Sequence, residues 1–467
     1  MLCRNLNPNR YLPLLLLGLW MFACKPDEIP VTPSGDPYNI LLIVTDDLGL
    51  ELGYLGNEVA RTPVLDSLAR HSVVYPNAYA VTSSCSPSRA SLYTGLYPHQ
   101  HGHMGLAPNF SIGEEHQTMA ELLKDLSTFT AYMGKTHLVP EERFVDVNWK
   151  QLSLGETRDF PLTLSRLQTA INQARNRPWR MMLNVYDPHR DVGDFLPVVN
   201  FLPANPQTAT DVQPLPFQEV ATQEQMEDVA GYYNQVARID AGVGLILDML
   251  REAEILEETI IIFTSDHGPP FTRAKTSLYE AGTRIPLLIY MPHEAVTPRV
   301  DSGYVSLLDI LPTMLELTGK ENPPYDLAGK SLLPNLIDQV PIGREYMVTE
   351  FNWHSINAFF PRRAIRKGDY KLICNVDTAR NFPFYVVDTD RAFNQVITGE
   401  AQVRPEVREA FRRYGNPPKY ELFNIASDPY EFINLADDPT YSGKLAELLE
   451  DLTTWRLETQ DEIPTEN

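Results

Sequence analysis

Carboxylate and histidine side chains end two apolar runs of the sequence, and their types are those of a metal site. Asp46 and Asp47 close the run YNILLIVTDD, and Asp266 and His267 close TIIIFTSDH. Three carboxylates that converge repel one another unless a cation lies between them. Oxygen ligands with one imidazole suit Ca²⁺ or Mg²⁺, whereas thiolate clusters favour zinc. For the Asp pair alone, capping of a following helix remains an alternative.

A cysteine lies in the run of small polar residues VTSSCSPSRASLYTG. Taken alone, Cys85 could be a nucleophile, a metal ligand or a buried core residue. Pro87 is typical of the first turn of a helix, so Cys85 is expected near a helix N-terminus, where anions are stabilised. Arg89 follows one turn later and adds a forked donor for an oxyanion. Together these residues predict a site for a tetrahedral anion.

Apolar runs alternate with helical patterns along the first three quarters of the chain. The runs TFTAYMGKTHL and WRMMLNVYDPH also end in polar residues, among them Lys135, His137 and His189. Helical patterns follow in TPVLDSLARHS and in EDVAGYYNQVARIDAGVGLILDMLREAEI. This alternation predicts an α/β fold with a mostly parallel sheet between helices. Ligands of such sheets bind beyond the carboxyl ends of the strands, where these polar residues are expected.

The pattern changes near the segment REYMVTEFNWHS. Beyond it lie the short strand-like runs RRAIRKGDYKLIC and KYELFNI, followed by the helical pattern GKLAELLEDLTTWRLETQ. We therefore expect a catalytic domain over residues 37–356. A smaller α+β domain, an antiparallel sheet with a helix, is expected over residues 357–467.

The N-terminal segment is typical of an exported protein. Arg4 and Arg10 precede an apolar run that is too short to span a bilayer, as in a signal peptide over residues 1–23. The run ends in MFAC, and the Pro-rich segment 24–36 follows as a linker. These features predict lipidation of Cys24 and an outer-membrane lipoprotein facing the periplasm or the cell surface. Simple secretion with an incidental cysteine is the alternative.

The charge of the chain restricts its partners. A net charge of -22 argues against binding to nucleic acid or to an anionic membrane, which leaves a lipid anchor as the expected membrane contact. An anionic substrate must then be attracted by local positive charge. A long polyanion held along its length would need an extended basic groove. Because the sequence offers only short basic patches, we expect a pocket that acts on the ends of an anionic polymer. After export, Cys85 and Cys374 are the remaining thiols. The sequence alone leaves it open whether they form a disulfide.

The run CSPSRASLYTG matches the sulfatase signature C-x-P-S-R-x-x-L-x-T-G at every fixed position. The chain thus resembles the sulfatase family, which implies an alkaline-phosphatase-like fold. The resemblance also implies that a formylglycine-generating or sulfatase-maturing enzyme converts Cys85 to formylglycine. Its hydrate would be the nucleophile, beside one Ca²⁺. The implied metal ligands are Asp46, Asp47, the modified Cys85, Asp266 and His267.

Further segments, including GKTHLVPE, YDPHR and VARIDAGVGLIL, resemble the sulfamidases, the heparan N-sulfatase branch of that family. Two residues depart from that branch: Lys275 stands in place of Arg, and His267 in place of Asn. By resemblance, His189 or Lys275 is the general acid and His137 removes a proton from the second hydroxyl of the nucleophile. The remaining implied contacts are charge stabilisation by Arg89, Lys135 and Lys275, and substrate binding by Arg190, His354 and Arg363.

The resemblance implies a sulfated glycosaminoglycan oligosaccharide or monosaccharide as substrate, and a possible homodimer. Three alternatives remain: an O-sulfatase for another sulfated glycan, a phosphoryl-transfer hydrolase on the same fold, and a glycan-binding lipoprotein without activity. The three histidines of PHQHGHMG, His99, His101 and His103, suggest a metal cluster, but structural roles are expected for them because the oxygen ligands account for the metal.

Overall fold

The computed structural model describes residues 37–124, 127–144, 158–175, 177–190, 205–292, 296–357, 359–375 and 391–463. The strands are β1 (Asn39–Thr45), β2 (Ser72–Val74), β3 (Ala78–Tyr79), β4 (Phe129–Gly134), β5 (Trp179–Asn184), β6 (Thr259–Ser265), β7 (Arg284–Ile285), β8 (Leu287–Tyr290), β9 (Arg299–Val300), β10 (Val305–Ser306), β11 (Tyr346–Trp353), β12 (Phe359–Lys367), β13 (Tyr370–Asn375) and β14 (Tyr420–Asn424). The helices are α1 (Pro63–Ala69), α2 (Cys85–Thr94), α3 (Pro98–His101), α4 (Met119–Leu123), α5 (Phe160–Ala174), α6 (Gln223–Glu252), α7 (Glu280–Thr283), α8 (Ile310–Leu317), α9 (Leu333–Asp338), α10 (Arg391–Thr398), α11 (Pro405–Gly415) and α12 (Ser442–Thr459).

The main sheet has seven strands in the order β4-β5-β1-β6-β8-β2-β9. Its first four strands are mutually parallel, whereas β8 runs antiparallel to both β6 and β2. The predicted strands β1, β4, β5 and β6 are therefore adjacent, and their carboxyl ends share one edge of the sheet. This confirms the predicted mostly parallel α/β fold.

Both faces of the main sheet are covered, because the side chains of a strand alternate between its two sides. Leu41 and Ile43 of β1 pack into one apolar cluster with residues of α1, α5 and α6. Ile40 and Leu42 pack into a second cluster with residues of α2, α4 and α8. Each fully buried Leu or Ile contributes about 1.5–3 kcal/mol to folding. The uninterrupted apolar runs in the sequence follow from this burial on both faces.

A second, antiparallel sheet has the order β11-β12-β13-β14, and α12 packs on β12 and β13. The C-terminal antiparallel sheet with a helix is thus confirmed. Its first strand, β11, begins at Tyr346, so the predicted domain start at residue 357 cuts between two paired strands. The domain bounds stay a prediction, although β11 pairs with a strand on the other side of the predicted boundary.

The predicted signal peptide, the linker and the lipidated Cys24 lie outside the described residues. Among the helices that the structure does describe, none combines the length and apolar character needed to cross a bilayer. Export and lipid anchoring therefore stay predictions.

Candidate active site

Polar side chains from four neighbouring strand ends converge on Cys85. Asp46, Lys135 and Asp266 directly follow β1, β4 and β6 at the shared edge of the main sheet, and His189 lies in the segment after β5. Asp47 and His137 have left-handed backbone conformations, with φ of 63° and 55°, which turn the chain sharply after each strand. Such conformations are uncommon for residues with a Cβ and cluster at functional sites.

Cys85 is the first residue of α2 and is buried. The residue before it, Ser84, occupies the N-cap position, but its hydroxyl makes no capping bond. Instead, the Ser84 Oγ lies 3.0 Å from Nδ1 of His354, a residue 270 positions later. The predicted helix N-terminus at Cys85 is confirmed, and with it a local positive field suited to an anion.

The five predicted metal ligands lie together around Cys85. One ligand atom each from Asp46, Cys85, Asp266 and His267 lies within 4.8 Å of the others. Nε2 of His267 is 3.2 Å from the Cys85 Sγ and 3.3 Å from Oδ1 of Asp47. The side chains of this cluster other than Cys85 are fully buried: Asp46, Asp47, Asp266 and His267.

The carboxylates of this cluster favour a cation. Oδ1 of Asp46 is buried and has no hydrogen-bond partner among the described residues. Burial raises the pKa of Asp47 to about 6, and the adjacent charge of Asp46 adds to the effect of burial in raising the pKa of Asp266. Although burial opposes it, the nearby carboxylate of Asp266 raises the pKa of His267 to about 9. A divalent ion between these groups would supply the positive charge that they attract, so the residues fit a metal site.

Two lysines from different segments of the chain contact this cluster. The Lys135 ammonium, directly after β4, donates to Oδ2 of Asp46. The Lys275 ammonium donates to both oxygens of Asp47, at 2.7 and 2.9 Å. Burial raises the pKa of the Cys85 thiol, but the charges of Lys135 and Lys275 outweigh it, and the pKa is lowered. The lysines therefore make the surroundings of Cys85 favourable for negative charge.

Arg89 lies beneath the metal-ligand candidates and has no exposed surface. Its Nε donates to Oδ2 of Asp266 at 3.0 Å, and its Nη1 donates to Oδ1 of Asn184 at 2.6 Å. The same Asn184 oxygen accepts a bond from the Tyr93 hydroxyl at 2.9 Å. Beyond the expected charge stabilisation, the structure thus gives Arg89 a further role, which is to orient Asp266. Asn184 was missed from the sequence, where its place at the end of an apolar run was the available signal.

Three histidines border the cluster and are held neutral. Burial, with Lys135 beside it, lowers the pKa of His137 to about 3. Burial and the charge of Lys275 place the pKa values of His189 and His354 well below the ordinary value. Nδ1 of His137 and Nδ1 of His189 are buried without a hydrogen-bond partner among the described residues.

Of the two arginines predicted to bind substrate, Arg190 lies next to a histidine of the site and Arg363 lies in the second sheet. Arg190 follows His189 and binds Oδ2 of Asp228 on α6 at 2.8 Å. Arg363 is not brought to the cluster: its guanidinium is buried, bound to both oxygens of Asp461 at 2.7 and 2.8 Å and to Asn352 at 3.0 Å. Arg363 therefore contributes to the packing of the second sheet, and its predicted contact with substrate has no support in these distances.

The rings of His99 and His101 in PHQHGHMG make structural contacts, whereas both ring nitrogens of His103 are buried without a hydrogen-bond partner among the described residues. His99 lies 2.5 Å from Oε2 of Glu350 and 3.1 Å from the carbonyl of Thr459. His101 lies 3.0 Å from the Ser91 hydroxyl and accepts from the backbone N–H of His103 at 3.1 Å.

Cys85 and Cys374 are both free, so the disulfide left open by the sequence does not form.

Comparisons with known proteins agree with this geometry. The sulfatase family matches residues 38–320, and a family described as N-sulphoglucosamine sulphohydrolase, C-terminal, matches residues 272–412. The chain belongs to the sulfatase family. The human N-sulphoglucosamine sulphohydrolase is 33% identical over 465 residues, covering 91% of each chain. The predicted family is thus confirmed, and so is its resemblance to the N-sulfatase branch.

Other sulfatases are similar over comparable lengths. An ulvan-active sulfatase of Formosa agariphila is 27% identical, covering 92% of this chain and 82% of its own. The structure of BT4656 in complex with its substrate D-glucosamine-2-N,6-O-disulfate superposes with a TM-score of 0.66 at 21% identity, covering 92% of this chain and 99% of the other. At that identity the structural likeness supports the fold alone.

Proposed function

We propose that this sulfatase removes the N-linked sulfate from glucosamine residues at the ends of heparin or heparan sulfate fragments. The observation that carries the proposal is the similarity to the human N-sulphoglucosamine sulphohydrolase, which extends over nearly all of both chains. The match of residues 272–412 to the C-terminal family of the same enzyme supports it independently of the signature around Cys85.

A calcium ion is the proposed cofactor, held by Asp46, Asp47, Asp266 and His267 together with the modified Cys85. When bound, it would draw electron density from the sulfate oxygens and from the attacking hydroxyl. Support comes from the donor set, which is rich in carboxylate oxygens, and from the unpartnered Oδ1 of Asp46. Loss of activity in EDTA and its recovery with calcium is the expected behaviour.

Formylglycine made from Cys85 by a maturing enzyme would supply, as its hydrate, the hydroxyl that attacks sulfur. The chain's own residues then have separate tasks. The ammonium groups of Lys135 and Lys275 would stabilise the sulfate oxygens through preorganised positive charge. Arg89 keeps Asp266 in place.

The proton transfers fall to side chains that border the cluster. His189 and Lys275 are the candidates for protonating the leaving nitrogen: the Lys275 ammonium already carries a proton, whereas His189, whose pKa is lowered by burial, would first have to take one up. His137 is neutral and has an unpartnered Nδ1, so it would accept the proton that leaves the second hydroxyl of the nucleophile.

The test is calcium-dependent sulfate release from N-sulfoglucosamine, measured beside 6-O-sulfated N-acetylglucosamine. The protein is produced in a host that makes formylglycine, and conversion of Cys85 is verified by mass. Release from the N-sulfated sugar is expected. Release from the O-sulfated sugar alone would replace the proposal by an O-sulfatase, a candidate that the likeness to the ulvan-active sulfatase favours.

We further propose that the protein is exported, anchored through a lipid on Cys24, and active as a pocket enzyme on chain ends or monosaccharides. The apolar run before Cys24 and the net charge of -22 support these proposals. A homodimer is also proposed. Palmitate labelling and sedimentation of the full chain test the anchor and the oligomeric state.

A further inference from the structure

Three aromatic rings form a partly exposed cluster beside the active site. The ring of Trp353 lies 4.2 Å from that of Phe359 and 5.4 Å from that of Phe110, measured between centroids. Phe110 packs closely over Gly105, where an added Cβ would lie 2.4 Å from a Phe110 ring atom and 2.8 Å from the Cβ of Trp353. All three rings keep part of their surface exposed, and the neighbouring Ile356 is 57% exposed.

Both segments that carry these rings are hydrogen-bonded to the residues on either side of Cys85. His354, next to Trp353, lies 3.0 Å from the hydroxyl of Ser84. On the other side, the backbone N–H of Ala107 donates to the Ser86 hydroxyl at 3.0 Å.

The two segments are also bonded to each other. Leu106 donates to the carbonyl of His354 at 2.8 Å, and Trp353 donates to the carbonyl of Met104 at 3.3 Å. The rings are thus held by the same framework that positions the nucleophile.

The position of His354 shows how close this framework lies to the nucleophile. Its Nδ1 is 3.0 Å from the hydroxyl of Ser84, the residue before Cys85, so its ring lies beside the start of α2. Trp353, the last residue of β11, directly precedes His354. A substrate whose sulfate lies at Cys85 would therefore have the aromatic cluster beside its binding site.

We propose that Phe110, Trp353 and Phe359 form a binding platform for the sugar ring adjacent to the sulfated one. The proposal rests on a glycan being the substrate, as inferred above, and adds a second subsite to it. Partly exposed apolar patches beside a pocket mark ligand sites, and rigid aromatic rings offer flat area to the C–H face of a pyranose. The platform predicts that two linked sugars bind more tightly than one.

The test compares N-sulfoglucosamine with a disaccharide that carries the same N-sulfated ring linked to a uronic acid. In W353A, KM for the disaccharide should rise about tenfold, the effect of losing an aromatic contact, while kcat stays the same. Both constants for the monosaccharide should be unchanged. W353F should retain most of the disaccharide affinity. Y430A removes a partly exposed aromatic ring elsewhere and should behave as the wild type.

Equal changes for monosaccharide and disaccharide, or no change for either, would overturn the platform. F359A provides a second variant if W353A unfolds, and the same difference between substrates is required of it. If the wild type releases only O-linked sulfate, the comparison is made with O-sulfated monosaccharide and disaccharide. If it releases sulfate from no sugar, the function proposed above fails. Calorimetric binding of the unsulfated disaccharide to wild type and W353A then still decides the platform.

Discussion

Replacement of Asn184 by alanine tests how the site is held together. The Asn184 Oδ1 accepts from Arg89 at 2.6 Å and from Tyr93 at 2.9 Å, all within a fully buried environment. A hydrogen bond to a charged donor contributes about 1.5–3 kcal/mol, and a neutral one about 1 kcal/mol. We therefore expect N184A to lower the free energy of unfolding by about 2.5–4 kcal/mol.

The same change should weaken metal binding, because Arg89 would orient Asp266 less firmly. Loss of a partner behind a metal ligand costs about 10–100-fold in affinity. The control is L183A, the neighbouring residue of the same strand, whose buried side chain packs in the apolar cluster. It should destabilise by a similar amount, about 2–5 kcal/mol, without affecting the metal.

The assays are urea unfolding and calcium titration of sulfate release, carried out on both variants. If N184A and L183A lose stability equally but also retain equal calcium affinity, the orienting role assigned to Asn184 and Arg89 is refuted.

Three other predictions follow from the described contacts. D266N should require a higher calcium concentration for half-maximal sulfate release, whereas E431Q, a buried acid distant in sequence from the cluster, should not. G134A should abolish activity, because an added Cβ would lie 1.8 Å from the carbonyl of Asn184 and force β4 away from β5; limited proteolysis would show the disturbance. The ion pair of His99 and Glu350 should stabilise the fold most between their ordinary pKa values, about 4.5 and 6.5. Although burial opposes both shifts, the pair raises the pKa of His99 and lowers that of Glu350. The histidine contribution is then lost as pH rises through its raised pKa, and the glutamate contribution as pH falls through its lowered pKa. The difference in Tm between wild type and H99Q should be largest in this window, and a difference that is the same at pH 5.5 and pH 9 would contradict the assignment.

The sequence predicted the parts of the site that local patterns encode. The strands before Asp46, Lys135 and Asp266 are long apolar runs buried on both faces, so their identity and their polar ends could be read directly. Pro87 likewise indicated the helix that begins at Cys85.

Contacts between distant segments could not be predicted in the same way. The bond between Ser84 and His354 joins residues 270 positions apart, and no local pattern encodes it. The strand β11 was not predicted, and its pairing with β12 is set by tertiary structure. Asn184 is a single amide without a motif, and its importance appears only when Arg89 is seen beside it.

The resemblance to a family implied residue roles that the geometry refines. Arg89 was expected to stabilise charge on the sulfate oxygens, and the structure adds bonds from its guanidinium to Asp266 and Asn184. Arg363 was expected at the substrate, and the structure shows it bound to Asp461. In both cases the structure shows a buried partner from a remote part of the chain, which no local pattern in the sequence indicates.

The most direct test of the account measures sulfate release against the fraction of Cys85 converted to formylglycine. Preparations with different degrees of conversion are obtained by varying the level of maturing enzyme, and each is quantified by mass spectrometry. With calcium in excess, the rate should rise in proportion to the converted fraction and fall to zero without conversion, while C85S stays folded and inactive. Full activity in unconverted protein would contradict the account.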